Sequence, residues 1–143
     1  MEECKQIYNI RETKSNYSVI QKQAIKGLPV LTKNNNENVL VAHVNDNLLK
    51  VLLDALPIVV EKEYDEELGI YTLSLEKLNL YGEGTTLKDA KEDLVNTIMA
   101  WCNIYQEKID MYEKMFDDEY KSYMLKLMRL SCDRSELERI IVI

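Results

Sequence analysis

Carboxylates are the most abundant groups in this sequence that could do chemistry, with 25 Asp and Glu against 18 Lys and Arg and one His. Two sets are close enough in sequence to suggest a metal centre: Asp65, Glu66 and Glu67, then Asp89, Glu92 and Asp93. Two-metal hydrolysis needs carboxylates converging from strands and a helix to hold ions about 3.5–4 Å apart. The first set falls in a turn, and the second in the opening turns of a helix, where negative charge complements the helix dipole. His43 is alone, so neither a nucleophile–base set nor a histidine-based metal site can be assembled. Gly82-Glu-Gly84 lacks the rest of any nucleotide fingerprint. Cys4, Cys102 and Cys132 are odd in number, far apart and without a CxxC pair, which points to neither a disulfide framework nor zinc. The expectation is a protein that is not an enzyme, with no catalytic residue, no metal and no cofactor.

Charge points instead to binding. The net charge is −7, yet residues 1–33 hold six basic side chains (Lys5, Arg11, Lys14, Lys22, Lys26, Lys33) against three acidic ones. From Pro57 onward there are eleven basic against nineteen acidic residues. A net-acidic molecule approaches nucleic acid only through a local basic face, whereas its acidic half suits a basic protein ligand. An apolar content of 46% excludes a disordered chain, and no apolar run nears the ~20 residues that would cross a bilayer. With no secretory pattern at its start, the expected address is the cytoplasm, with no membrane contact.

These residues must be positioned by short elements. The spacing of Tyr17, Ile20, Ala24 and Ile25 predicts one helix over 11–26, stopped by Gly27 and barred from continuing by Pro29. Apolar runs at 28–32 and 38–42 around an asparagine-rich turn predict a β-hairpin, followed by a helix over 46–55 with Leu48, Leu49, Leu52 and Leu53 on one side. Past Pro57, strands are predicted at 58–64, 70–75 and 80–83. A long helix from Thr86 then carries Leu94, Ile98, Trp101, Tyr105, Ile109 and Tyr112. Asp117 to Glu119 restarts a helix, and Asp133 to Glu136 caps a last one. The fold class is α+β in two small units, 1–56 and 57–143, the second a three-stranded antiparallel sheet with a long helix and a helical C-terminal extension. Units of this size have thin cores, so a homodimer or higher oligomer is expected.

Three stretches of the first half, Glu12-Thr-Lys-Ser-Asn-Tyr17, Lys26-Gly-Leu-Pro-Val-Leu-Thr-Lys33 and Val39-Leu-Val-Ala42, together with a short strand near Ile7, resemble the Phd/YefM antitoxin family over about residues 5–56. The resemblance implies a dimeric fold whose first helix and hairpin reach operator DNA. Lys14 stands where the family has its helix-start arginine, and Lys33 where a basic residue begins the hairpin turn. Lysine gives a phosphate a point charge but not the bidentate contact that arginine makes to guanine. Arg11 is therefore the candidate for a base edge, with Asn34 or Asn35 in support.

The stretches Tyr64-Asp-Glu-Glu-Leu-Gly-Ile-Tyr-Thr-Leu-Ser-Leu75 and Gly82-Glu-Gly-Thr-Thr-Leu-Lys-Asp-Ala90 resemble the HicB-like antitoxin domain, a reduced RNase H-like fold, over about residues 57–105. Asn79-Leu80 departs from the Pro-Gly pair often found there. The two resemblances together imply an antitoxin that binds a small basic ribonuclease toxin, RelE-like or HicA-like, and represses its own operon. Trp101, Tyr105 and Tyr112 form an aromatic stripe at helical spacing, and Tyr120 and Tyr123 follow on the next predicted helix. Such stripes are usually core, and here they are also the candidate partner-binding set, because aromatics concentrate at binding hot spots. Two other readings fit the residues: a DNA-binding regulator with no toxin, and an interaction module that does not bind DNA.

Overall fold

In the computed structural model, which describes residues 7–34 and 36–143, the chain divides into two units, Met1–Ala55 and Leu56–Ile143. The architecture is the expected α+β class, with a three-stranded sheet in each unit.

In the first unit, strand β1 (Ile7–Asn9) runs directly into helix α1 (Ile10–Ser15). Asn9 makes that transition: its Oδ1 accepts from the Glu12 amide at 2.8 Å while its own amide donates to the Glu12 carboxylate, a reciprocal capping box. The single helix expected over 11–26 is two, α1 and α2 (Tyr17–Ile25). Asn16 separates them, because its side-chain Nδ2 donates to the Glu12 carbonyl at 2.8 Å alongside its own amide, a local bond that competes with helix continuation. α2 ends in a Schellman arrangement: Leu28 N–H donates to Gln23 O, Gly27 N–H to Ala24 O, and Gly27 takes φ +98°.

Strand β2 (Val30–Lys33) pairs parallel with β1 and antiparallel with β3 (Leu40–His43), and helix α3 (Asp46–Asp54) follows. The core is small, built on Tyr8, Ile20 and Val30. α3 buries no residue: Leu49 and Leu53 are half-buried, but Leu48, Val51 and Leu52 face outward, Leu52 at 70% exposure. His43 is structural, its Nε2 lying 3.3 Å from the hydroxyl of the buried Thr32.

The second unit begins with the antiparallel meander β4 (Glu61–Asp65), β5 (Ile70–Leu75) and β6 (Leu80–Gly84). β4 starts at Glu61 rather than at 58, because its partner runs out. Leu75 is the last residue of β5, and Glu76–Leu78 turn away as one turn of 3₁₀ helix closed by Asn79 at φ +56°. Ile58 and Val60 pack against the core instead. Helix α4 (Leu87–Glu107) starts at Thr86, whose hydroxyl accepts from the Asp89 amide at 3.1 Å. It breaks at Lys108 before the one-turn α5 (Ile109–Tyr112). Seven residues of continuous helix rise about 10.5 Å, and the break lets Tyr112 fold back to stack on Tyr105 with 6.0 Å between ring centroids. Helices α6 (Asp118–Leu130) and α7 (Arg134–Ile140), capped by Asp117 and Asp133, close over the far side of α4.

α4 lies almost backbone to backbone on β6. A Cβ added at Gly82 would overlap the Leu94 amide nitrogen and lie 2.5 Å from the Ala90 carbonyl oxygen, and one at Gly84 would lie 2.5 Å from the Ala90 nitrogen. These obstacles are main chain and cannot swing aside, so Gly82→Ala should cost about 3 kcal/mol, the upper end of overpacking effects. Urea unfolding followed by the single tryptophan, Trp101, measures this; a change below about 0.5 kcal/mol would mean that α4 is free to shift.

Candidate functional site

Register in the first unit decides which basic residues come together. Parallel pairing sets Asn9 opposite Lys33, so β1 and β2 leave the sheet at the same end, one into α1 and the other into the hairpin turn. The segment carrying Arg11 and Lys14, three residues apart on α1 and both exposed, therefore leaves from the same end of the sheet as Lys33 and Asn34, both half-buried. Asn34 organises the turn, its Oδ1 accepting from the Asn36 amide at 3.0 Å and its carbonyl from the Glu37 amide at 3.1 Å. Asn35 lies outside the described residues. Nothing in the sequence spacing announces this grouping, since it depends on a pairing between strands some twenty residues apart.

In the second unit Trp101, Tyr105, Tyr112 and Tyr120 fold into one cluster with Phe116, while the Tyr123 ring meets the Lys77 ammonium instead. Phe116 stacks on Tyr120 at 3.9 Å between centroids, Trp101 meets Tyr112 edge-on at 5.0 Å, and the Trp101 indole donates to the Tyr120 hydroxyl at 3.1 Å. Tyr105 and Tyr123 are inside the unit's core at 3% and 5% exposure, while Trp101, Tyr112 and Tyr120 are half-buried. Burial raises the hydroxyl pKa of both Tyr105 and Tyr120, and that of the Cys102 thiol. Met124 joins the core, whereas Met111 and Met115 are exposed.

One side chain of each acidic set from the sequence has structural work. Asp65 Oδ1 accepts from the Glu67 and Leu68 amides in the β4–β5 turn, and Asp93 Oδ2 accepts from the Glu83 amide of β6 at 2.8 Å. Asp133 caps α7, and its hydrogen bond to the Ser135 side chain holds its carboxyl below the usual range. Among the described residues no three His, Cys, Asp or Glu side chains are placed to hold a metal ion, and no helix is long and apolar enough to cross a membrane.

A cavity of about 300 Å³ opens at the start of β4. Ile58, Val59, Leu75, Leu78 and Tyr123 give it apolar walls, and Glu61, Glu76 and Lys77 line it as well. Lys77 is held by Glu119 at 2.9 Å and the Tyr123 hydroxyl at 3.1 Å, contacts that keep its pKa above the ordinary value. Glu76 lies close enough to Glu61 to raise the Glu61 pKa through a side-chain hydrogen bond and like-charge repulsion. Sequence reasoning missed this site: its residues come from a linker, a strand, a 3₁₀ turn and α6, with no shared spacing.

The family model described as PHD_like, antitoxin of toxin-antitoxin, RelE / RelB, TA system, matches residues 2–142. No curated protein matches the chain. Among solved structures, the antitoxin part of a candidate toxin/antitoxin system from Syntrophomonas wolfei subsp. wolfei is similar over 96% of each chain, with a TM-score of 0.71 and 19% identity, a likeness of fold.

The Trp101–Tyr120 bond links α4 to α6 and gives this cluster a direct test. Tyr120→Phe keeps the ring stacked on Phe116 but leaves the half-buried indole N–H without its acceptor, and should cost about 1 kcal/mol. Thermal unfolding by fluorescence checks this; an unchanged midpoint would show that the bond contributes nothing.

Proposed function

Because the chain belongs to this family of toxin–antitoxin antitoxins, we propose that it neutralises a ribonuclease toxin by direct binding and represses its own operon by binding the operator. We assign it no catalytic step and a cytoplasmic site of action. In this reading the first unit is Phd/YefM-like and holds the operator and the dimer contact, while the second is HicB-like and holds the toxin. The naming of RelE / RelB in the family description favours a RelE-like toxin over a HicA-like one. The family membership carries the antitoxin reading.

The DNA contact is supported by one observation above the others: in the parallel β1–β2 register the segments carrying Arg11, Lys14 and Lys33 leave from the same end of the sheet. That is the local basic face which a molecule of net charge −7 needs in order to approach a polyanion. In the second unit the excess of acids over bases suits a basic toxin, and the half-buried Trp101, Tyr112 and Tyr120 offer the surface aromatic contact, with Tyr105 and Tyr123 supporting them from within. Dimerisation is favoured by the apolar surface left on β3 and α3, where Leu40, Val41, Leu48, Val51 and Leu52 are all exposed.

Two measurements test this. Light scattering at micromolar concentration should give at least twice the 16.7 kDa chain mass, and a clean monomer would overturn the dimer. On the chain's own upstream DNA, Lys14→Ala and Lys33→Ala should each flatten the slope of log affinity against log salt by about 0.9 for every phosphate no longer neutralised, a change that a dimer makes twice. Arg11→Ala should instead relax discrimination at one half-site position by about 1–3 kcal/mol. Wild-type binding no tighter than to random duplex would remove DNA recognition from the first unit.

A further inference from the structure

The β-sheet of the second unit has two edges, and the fold treats them differently. At the β6 edge the Glu83 amide is taken by Asp93 of α4. The β4 edge is open: residues 61–65 pair with β5 on one side, and among the described residues no main-chain or side-chain group bonds to the amides of Glu61, Lys62, Glu63, Tyr64 or Asp65 from the other. An open edge is a template for another extended segment. The apolar cavity lies at the start of this strand, where Val59, 65% exposed, forms part of its rim.

Charge selects the occupant. Alternation along β4 puts Glu61 and Glu63 on one face, and Glu76 from the 3₁₀ turn meets Glu61 there, so that three carboxylates crowd one end of the edge. Among the described residues neither Glu61 nor Glu76 forms an ion pair, and the nearby Lys77 is already engaged by Glu119. A second copy of β4 would set like charges opposite one another, which disfavours self-pairing. An anionic metabolite would be repelled. A segment carrying Lys or Arg next to a large apolar side chain satisfies every group present.

We propose that, in addition to the aromatic contact, the β4 edge and its adjoining cavity seat one segment of the toxin: this basic segment lies along β4, sets an apolar side chain against Ile58, Val59, Leu75, Leu78 and Tyr123, and places a cation between Glu61 and Glu76. This rests on the reading of the chain as an antitoxin of a basic toxin. The apolar anchor excludes water around the new charge contact, which is the arrangement in which a charged pair is worth most.

The test uses the full chain and, as probe, the small basic protein that the antitoxin reading expects to be encoded beside it, in calorimetric titrations. Glu61→Gln with Glu76→Gln, and separately Val59→Asp, should each weaken binding by roughly tenfold or more. Glu37→Gln with Glu92→Gln removes the same charge from exposed residues that line neither the cavity nor the aromatic cluster, and should change binding less than about threefold. All these side chains are exposed, so circular dichroism should be unchanged. Hydrogen exchange on the wild-type complex, which needs no variant, should slow over residues 61–65. Wild-type affinity in the cavity variants, or unaltered exchange along β4, would overturn the proposed seat and leave the antitoxin reading intact. No binding of the probe to the wild type would overturn that reading itself.

Discussion

Two inward positions of β6 carry no side chain, and the second unit is arranged around that fact. Gly82 and Gly84 let the α4 main chain settle on the strand, bringing Ala90 and Leu94 to zero exposure against Leu73. At that separation the four-residue repeat of Ala90, Leu94 and Ile98 seals the sheet. Residues on the far side of the same helix are free to meet α6 and α7. Each leucine-sized side chain so buried contributes about 1.5–3 kcal/mol, but only if the helix stays at the distance the glycines set. The terminal helices inherit the placement. Arg134 of α7 donates to Asn96 and to the sulfur of Met99 on α4, and Trp101 of α4 donates to Tyr120 of α6. Moving α4 outward by one methyl group would loosen every one of these.

The first unit is held by less. Its buried cluster is three side chains with Ala24 alongside, and its ordering relies on caps and turns: the Asn9–Glu12 box, the Gly27 termination, and Asn45, whose Nδ2 donates to the Ile25 carbonyl. Local hydrogen bonds of this kind are worth about 0.5–2 kcal/mol each. They define a backbone path well but cover little apolar surface. The uncovered remainder is concentrated on β3 and α3, so stability and assembly are best considered together in this unit.

Elements governed by neighbours in sequence were readable before the structure, and those governed by distant ones were not. The cap at Asp133 and the helix restart at Asp117 could be read from neighbouring residues, the choice of Thr86 over Thr85 could not, and the 70–75 strand has the bounds its residues predict. The division at Asn16 was not legible, because the apolar spacing of Tyr17, Ile20 and Ala24 says nothing about a carboxamide bonding back to Glu12. Nor was the late start of β4, which depends on where β5 ends. The aromatic residues were visible as a stripe, but which of them keep a surface depends on the break at Lys108. The basic residues were named from composition and resemblance; what the sequence did not show is the parallel β1–β2 register, by which their segments leave from one end of the sheet. The cavity gave no signal at all.

The acidic residues of the second unit separate by what satisfies them. Asp117 and Asp133 accept helix-end amides, Asp65 organises a turn, and Asp93 occupies a strand edge. Glu119, Glu136 and Glu138 sit on Lys77, Arg139 and Arg134. Each of these lowers the free energy of the chain by itself, if only slightly where the pair is exposed. Glu61 and Glu76 do the reverse. They face each other, and a carboxylate held against another is favoured neither by folding nor by solvent over a position a few ångströms away. Because the Glu61 pKa is raised, ionising it costs the folded state more than the unfolded chain, so its contribution to stability falls as pH rises past the ordinary carboxylate range. What the pair does provide is a preformed negative site beside an apolar cavity and an unpaired strand edge, three features whose costs would be removed together by one basic, extended, partly apolar segment.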